Sequence, residues 1–188
     1  VAQLDHLARR AVTGDDGAIA DLVALAFPDV VRLCGHLGSG FETDDLVQDT
    51  FLRVVRSLPR FRFECEVRTW ILSIARNTCA DAVRNVSRRR QREHDGPAVD
   101  APESGDMTLR IELTQALDSV PFDFREAFVM TQMFGLSYAE AAEAIGVPIG
   151  TVRSRVARCR ALLIEAVDLG GADDLNNLSV LDTTSGTL

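Results

Sequence analysis

Ser137-Tyr138-Ala139-Glu140-Ala141-Ala142-Glu143-Ala144-Ile145-Gly146-Val147-Pro148-Ile149-Gly150-Thr151-Val152-Arg153-Ser154-Arg155 spells out two helices and the turn between them. Ser137 followed three residues later by Glu140 is a capping box, in which each side chain accepts from the other residue's backbone N–H. A short Ala-rich helix follows. Gly146 stands where a helix end needs a left-handed residue. Pro148 stops the first helix from continuing and favours the start of a second. The small alanines let the two helices cross closely, so the unit reads as a helix-turn-helix.

On the second helix, Val152, Val156, Cys159 and Leu163 share one face and are expected to be buried. Thr151, Ser154, Ala157, Arg158 and Ala161 lie opposite. Arg153 and Arg160 flank that strip on one side and Arg155 on the other. No acid occurs from Pro148 to Arg160, whereas ordinary surfaces mix signs. Small hydrogen-bonding residues between guanidinium rows suit a DNA major groove. The arginines would hold phosphates, while Ser154 and Arg158 reach base edges. A helical hairpin with a solvated basic face is the plainer alternative.

Charge distribution agrees with this reading although the total opposes it. The net charge is −8, yet all 20 basic residues are Arg. They cluster in Arg84–Arg92 and Arg153–Arg160, while acids collect in Glu93–Asp106 and Glu165–Asp182. Phosphate binding follows the local field, because salt screens charges beyond about 8 Å.

Upstream, residues 4–92 read as consecutive helices. Leu4, Leu7, Ala8 and Ala11, then Ile19, Leu22, Val23 and Ala26, recur at helical spacing, with a break at Gly14–Gly17. His36–Gly40 is a predicted loop. Thr43-Asp44-Asp45 offers caps for a helix running to about Ser57, before Pro59. Its expected buried stripe is Val47, Phe51, Val54, Val55 and Leu58, with Asp45, Asp49, Leu52 and Arg56 facing away. A further helix begins near Glu66 and passes Arg84. Val67, Trp70, Ile71 and Ile74 form its apolar stripe, which makes Trp70 a core anchor. Residues 93–107 carry two prolines, two glycines and five acids, the composition of an extended, flexible linker. A second helical segment is expected over 108–167, and a disordered tail over 168–188.

Taken together, the expectation is an all-α protein. Two small helical domains, 1–92 and 108–167, are joined by an acidic linker. No run of apolar residues is long enough to span a bilayer, and no signal-peptide pattern opens the sequence, so a cytoplasmic location without membrane insertion is expected. The four cysteines, Cys34, Cys65, Cys79 and Cys159, lack metal-ligand spacing and read as reduced, mostly buried thiols. His6, His36 and His94 match no triad or metal set, so neither catalysis nor a cofactor is expected.

Three blocks resemble a known family. "GLSYAEAAEAIGVPIGTVRSRVARCRALL" resembles region four of the extracytoplasmic-function (ECF) sigma factors of bacterial RNA polymerase. "TDDLVQDTFLRVVRSLPRF" resembles their region 2.2, and "RTWILSIARNTCADAVR" their regions 2.3 and 2.4. The blocks occur in family order between residues 43 and 163.

The resemblance implies a promoter-binding subunit with core RNA polymerase and promoter DNA as partners. An anti-sigma protein commonly masks such a subunit. Asp45, Asp49, Leu52, Arg53 and Arg56 would meet the polymerase β′ coiled coil, and the C-terminal domain the β flap. The loop Phe61–Glu66 would trap a flipped base of the minus-ten strand. Phe61 would form the pocket, with Arg62 and Phe63 beside it and Asn77 as hydrogen-bonding partner. Arg84 and Arg88 would grip the duplex upstream. Thr151, Arg153, Ser154, Arg155 and Arg158 would read the minus-thirty-five element. Phe63 and Cys65 depart from the small polar residues the family often carries in that loop. A free-standing dimeric regulator would leave the N-terminal blocks unexplained. A nucleic-acid enzyme would need carboxylates or a nucleophile near the basic surface. An anti-sigma-like interaction module would have no use for an arginine-lined helix.

Overall fold

The computed structural model describes residues 2–38, 40–92 and 116–178. Among these there is no strand. Four long helices form the first unit: α1 (Ala2–Val12), α2 (Asp16–Leu37), α3 (Thr43–Ser57) and α4 (Val67–Arg92). A 3-10 turn, Leu58–Arg60, follows α3. The second unit opens with helical residues 116–119 and continues through α5 (Phe122–Phe128), a π-helical turn (Val129–Met133), α6 (Tyr138–Ile145) and α7 (Ile149–Leu178). The expected linker, 93–107, lies outside the described residues. The expected tail starts later than residue 168, since α7 continues to Leu178.

Local chemistry sets most helix ends. Asp15 caps α2 by accepting from the Ala18 N–H at 3.0 Å. That bond, aided by Arg10 at 2.6 Å, holds the Asp15 carboxyl below its usual range. The start of α3 differs from the sequence expectation. Thr43 is already helical, and Glu42 at the cap position makes no side-chain bond. Asp44 and Asp45 instead sit in the first turn, where negative charge favours the positive end of the helix dipole. At α6 the capping box forms in full: the Ser137 N–H donates to Glu140 at 2.8 Å and the Glu140 N–H to Ser137 Oγ at 3.2 Å. Gly146 ends α6 at φ +77°, its N–H donating to the Ala142 carbonyl at 2.9 Å. Ser137→Ala should cost about 1 kcal/mol. In a chain of this size that lowers Tm by about 2–4 °C, readable by circular dichroism.

The apolar faces form one continuous core. It runs from Leu4, Leu7 and Ala8 through Leu22, Val30, Leu33, Val54 and Ile71 to Met130, Ile145, Val152 and Val156. The two units therefore pack directly on each other. A smaller cluster, Leu117, Val120, Cys159 and Leu163, seals the outer side of the second unit. Cys34, Cys79 and Cys159 are buried free thiols and Cys65 is half-buried. Burial pushes the Cys159 thiol up to about 11.

On α3 the buried register is Leu46, Val47, Thr50 and Val54, followed by Leu58 in the 3-10 turn. This corrects one member of the expected stripe. Val55 is 38% exposed, and Phe51 is half-buried. Thr50 enters the core because its hydroxyl donates to the Leu46 carbonyl at 2.7 Å, leaving its methyl to pack.

Candidate nucleic-acid interface

The helix-turn-helix takes the form its residues dictate. Val152, Val156, Cys159 and Leu163 are buried on α7. Arg153, Ser154, Ala157, Arg158 and Arg160 are exposed, and Thr151 is half-buried. Ser154 Oγ donates to the Thr151 carbonyl at 2.9 Å. The Arg153 guanidinium lies 5.9 Å from the Tyr138 ring centroid, and Arg160 donates to Gln132. This surface is a row of guanidinium groups beside small side chains, with the buried face of the same helix fixing its orientation.

Arg155 stands apart from that row. Its side chain is only 18% exposed and turns inward, donating to Glu126 at 3.0 Å and Asp123 at 2.8 Å. Its guanidinium is committed to ion pairs within the second unit. Glu126 itself is fully buried. Burial pushes its carboxyl above the usual carboxylate range, while Arg76 and Arg155 pull the other way. The sequence reading missed Glu126. The available signal was an acid directly before Ala127-Phe128-Val129-Met130, where a buried carboxylate needs a cationic partner.

The loop before α4 carries an aromatic stack. The Phe61 ring stacks on Trp70 with centroids 4.5 Å apart and meets Phe63 at 4.7 Å, tilted by 54°. The Arg9 guanidinium caps Phe63 at 4.3 Å. Trp70 is thus half-buried and forms the floor under Phe61, more than the plain core anchor its spacing suggested. Phe63 adopts φ +58°, a region that bulky side chains rarely enter. Arg62 and Glu64 on either side are exposed. The stack is held at both ends. The Phe61 N–H donates to the Leu58 carbonyl at 3.0 Å, and Asp5 on α1 accepts from the Val67 N–H that opens α4.

Further along α4, Asn77 is exposed and its side-chain oxygen accepts from Arg76 at 2.9 Å. Arg84 is exposed and pairs with Asp81 at 2.7 Å. Asp81 also accepts from Arg53 of α3 at 2.8 Å, and Arg53 holds Asp49 at 2.9 Å. The Arg53 guanidinium, then Arg84, keeps the Asp81 carboxyl below its usual range. Arg88 lies further along α4.

The exposed side of α3 presents Asp45, Leu52 and Arg56, with Asp49 and Arg53 half-buried beside them. Leu52 is 48% exposed. The surface is more apolar than the sequence reading allowed, because Phe27 of α2, beside Phe51, and Val55 are exposed as well. The Phe27 ring lies parallel to Phe51, with centroids 6.1 Å apart. Phe27 falls between the buried positions Ala26 and Val30, out of phase with the core stripe. That phase was the signal for it.

The two basic surfaces meet where the units pack. Arg76, between the aromatic loop and Arg84 on α4, forms an ion pair with the same Glu126 carboxylate that holds Arg155. Thr69 donates to Glu140 at 3.3 Å. Arg68 donates to Asp29 at 2.7 Å and to the Phe134 carbonyl at 3.0 Å, while the Arg32 guanidinium lies over the Phe134 ring at 4.4 Å. Among the described residues no cluster of His, Cys, Asp or Glu could hold a metal, and no helix is long and apolar enough to cross a membrane.

An all-α protein with an arginine-lined helix-turn-helix and a second basic helix beside an aromatic loop is a familiar class, and comparison with known proteins fixes it. Residues 22–89 match the model for sigma-70 region 2, and residues 110–163 that for sigma-70 region 4. The ECF RNA polymerase sigma factor SigC of Mycobacterium tuberculosis is 41% identical over 166 residues, covering 85% of this chain and 89% of that protein. The ECF RNA polymerase sigma-E factor of Salmonella typhimurium is 33% identical over 178 residues, covering 86% and 91%. Among solved structures, CnrH in complex with the cytosolic domain of CnrY is similar with a TM-score of 0.66 and 27% identity, covering 87% of this chain and 96% of that one. The sigma factor RpoE in complex with the anti-sigma factor NepR from Bartonella quintana gives the same score and identity, covering 79% and 96%. The chain belongs to the ECF sigma factors of the sigma-70 family, which serve RNA polymerase in transcription initiation.

Proposed function

We propose that this protein binds core RNA polymerase and directs it to promoters by reading a minus-thirty-five duplex and capturing a melted minus-ten strand. The observation that carries this reading is the exposed face of α7. There Arg153, Arg158 and Arg160 flank Ser154 and Ala157, without an acid among them, on a helix whose opposite face is locked into the core. Arg153 and Arg160 would position the duplex through phosphates; Ser154, Arg158 and the half-buried Thr151 would reach base edges. Arg155, held by Glu126 and Asp123, would support the helix from behind. The aromatic loop offers stacking surface for an unpaired base, which offsets the few kcal/mol that flipping costs. Asn77, Arg84 and Arg88 would hold the strand and the duplex beside it. The chemistry of RNA synthesis belongs to the polymerase.

Leu52, with Asp45, Asp49, Arg53 and Arg56 around it and Phe27, Phe51 and Val55 nearby, would dock on the polymerase. An apolar centre inside a polar rim is the usual build of a docking hot spot. The two solved relatives are each held by a second protein, and an anti-sigma partner is proposed here on that likeness.

In vitro transcription over a promoter library, with core polymerase, tests the assignment. Initiation from defined start sites is expected only when the protein is present. Leu52→Glu should weaken binding to core polymerase by on the order of 10-fold while leaving the thermal melt unchanged. Duplex binding without any binding to polymerase would overturn the proposal in favour of a free-standing regulator.

A further inference from the structure

Resting on the minus-ten reading above, we propose that Phe63 is a built-in stand-in for the captured base. Its ring occupies the place beside the Phe61 ring and the Arg9 guanidinium that an unpaired nucleobase enters when DNA binds.

Backbone conformation is the first ground. Phe63 is the one residue other than glycine with positive φ among the described residues, at +58°. A phenylalanine gains nothing from that conformation and occupies it only where its surroundings hold it there. Two contacts hold it: the Phe61 ring, tilted by 54° with centroids 4.7 Å apart, and the Arg9 guanidinium 4.3 Å from the Phe63 ring centre.

The two contacts also define a ligand. An aromatic ring and a cation that both reach one position suit a flat ring with a π face and with acceptor atoms at its edge, and a nucleobase has both. Beneath it Phe61 rests on Trp70 at 4.5 Å, so the floor of that position is fixed by α4 and stays when Phe63 leaves. The loop is anchored at the Phe61 N–H and at the Val67 N–H. Its intervening neighbours Arg62 and Glu64 are 83% and 76% exposed, so a swing of Phe63 into solvent disturbs no core contact of theirs. Phe63 relaxing to negative φ would release strain as the base enters. Arg9, on α1 and outside every sequence block that resembles the family, becomes a base-contacting residue.

This makes Phe63 a competitor of DNA. The alternative is that Phe63 itself stacks on the base, which predicts the opposite response to its removal. Holoenzyme assembled with core polymerase is titrated with the fluorescently labelled non-template strand of a promoter it transcribes, and affinity is read by anisotropy. In parallel, 2-aminopurine replaces each base in turn, and quenching marks the stacked position. Phe63→Gly keeps the positive φ and removes the ring; it should bind about fivefold tighter, with Phe63→Ala in the same direction. Arg9→Gln should bind about fivefold weaker, and Phe61→Ala about tenfold weaker. Weaker or unchanged binding by Phe63→Gly, with Phe61→Ala still weakened, overturns the stand-in and leaves minus-ten capture intact. A wild-type holoenzyme that ignores the single strand, with Phe61→Ala no different, removes minus-ten capture by this loop and the stand-in with it.

Discussion

Glu126→Ala is expected to melt about 10 °C below the parent protein. Glu126 is fully buried, and the guanidinium groups on it are nearly so, with side chains 12% exposed for Arg76 and 18% for Arg155. Removing the carboxylate takes from Arg76 the anion it pairs with and leaves Arg155 with Asp123 alone. Taking one partner from a buried ion pair costs about 3–5 kcal/mol. At about 2–4 °C per kcal/mol for a chain of this length, differential scanning calorimetry resolves the shift easily. Glu126→Gln keeps the shape and an acceptor and buries no charge of its own, so it should melt well above Glu126→Ala. Acidity gives a second readout. Burial raises the folded Glu126 pKa above its ordinary 4.5, so the protonated form favours the folded state. That contribution is complete below about pH 4.5 and fades as the pH rises through the raised value. The stability of the parent relative to the non-titrating Glu126→Gln should fall over the same interval. A melt within 2 °C of the parent for Glu126→Ala would show that the ion pairs carry no net stability.

Leu58→Ala should cost about 3–5 kcal/mol, seen as a lower urea midpoint at unchanged slope. Leu58 is among the largest fully buried side chains, and it packs between the first unit's helices from the 3-10 turn that follows α3. Its carbonyl also accepts the Phe61 N–H, so the cavity opens directly beneath the aromatic loop. Loss of stability should therefore come with weaker capture of single-stranded DNA. Leu52→Ala on the same stretch, at an exposed position, should stay within about 0.5 kcal/mol of the parent. Equal effects of the two substitutions would contradict the core placement of Leu58.

The features legible in the sequence are those made by neighbours in the chain. Ser137 with Glu140, Gly146 before Pro148, and the spacing of Val152, Val156, Cys159 and Leu163 act within one or two turns, and each recurs in the structure. Val55 went astray because periodicity names an apolar side without fixing its edges, and Thr50 completed the core by bonding its own backbone. Helix α7 passes through Gly170 and Gly171, which each cost only about 1 kcal/mol in a helix and do not end one by themselves. Partners from distant segments left no trace in spacing. The ion pair of Arg155 with Glu126, 29 residues away, could not be read from the spacing of the recognition helix. Phe63 looked like an odd residue in a loop until Arg9 and Phe61 gave it a place.

The shared carboxylate sets a limit on geometry. Arg76 and Arg155 grip one Glu126, so the helix proposed to follow the melted strand and the helix proposed to read the duplex touch through a single side chain. Elements centred at minus ten and minus thirty-five stand about 85 Å apart along B-form DNA, at about 3.4 Å per base pair. No rigid placement of the packed units serves both. Promoter engagement on this reading begins with a parting: Arg76 exchanges Glu126 for phosphate, and Phe134 leaves its seat between Arg32 and Arg68. The intervening residues 93–115 reach about 80 Å when fully drawn out. Apparent promoter affinity is then the intrinsic affinity scaled by the fraction of molecules already parted. On the proposed function, the strength of this internal handshake, and not the recognition helix alone, would set how readily promoters are engaged.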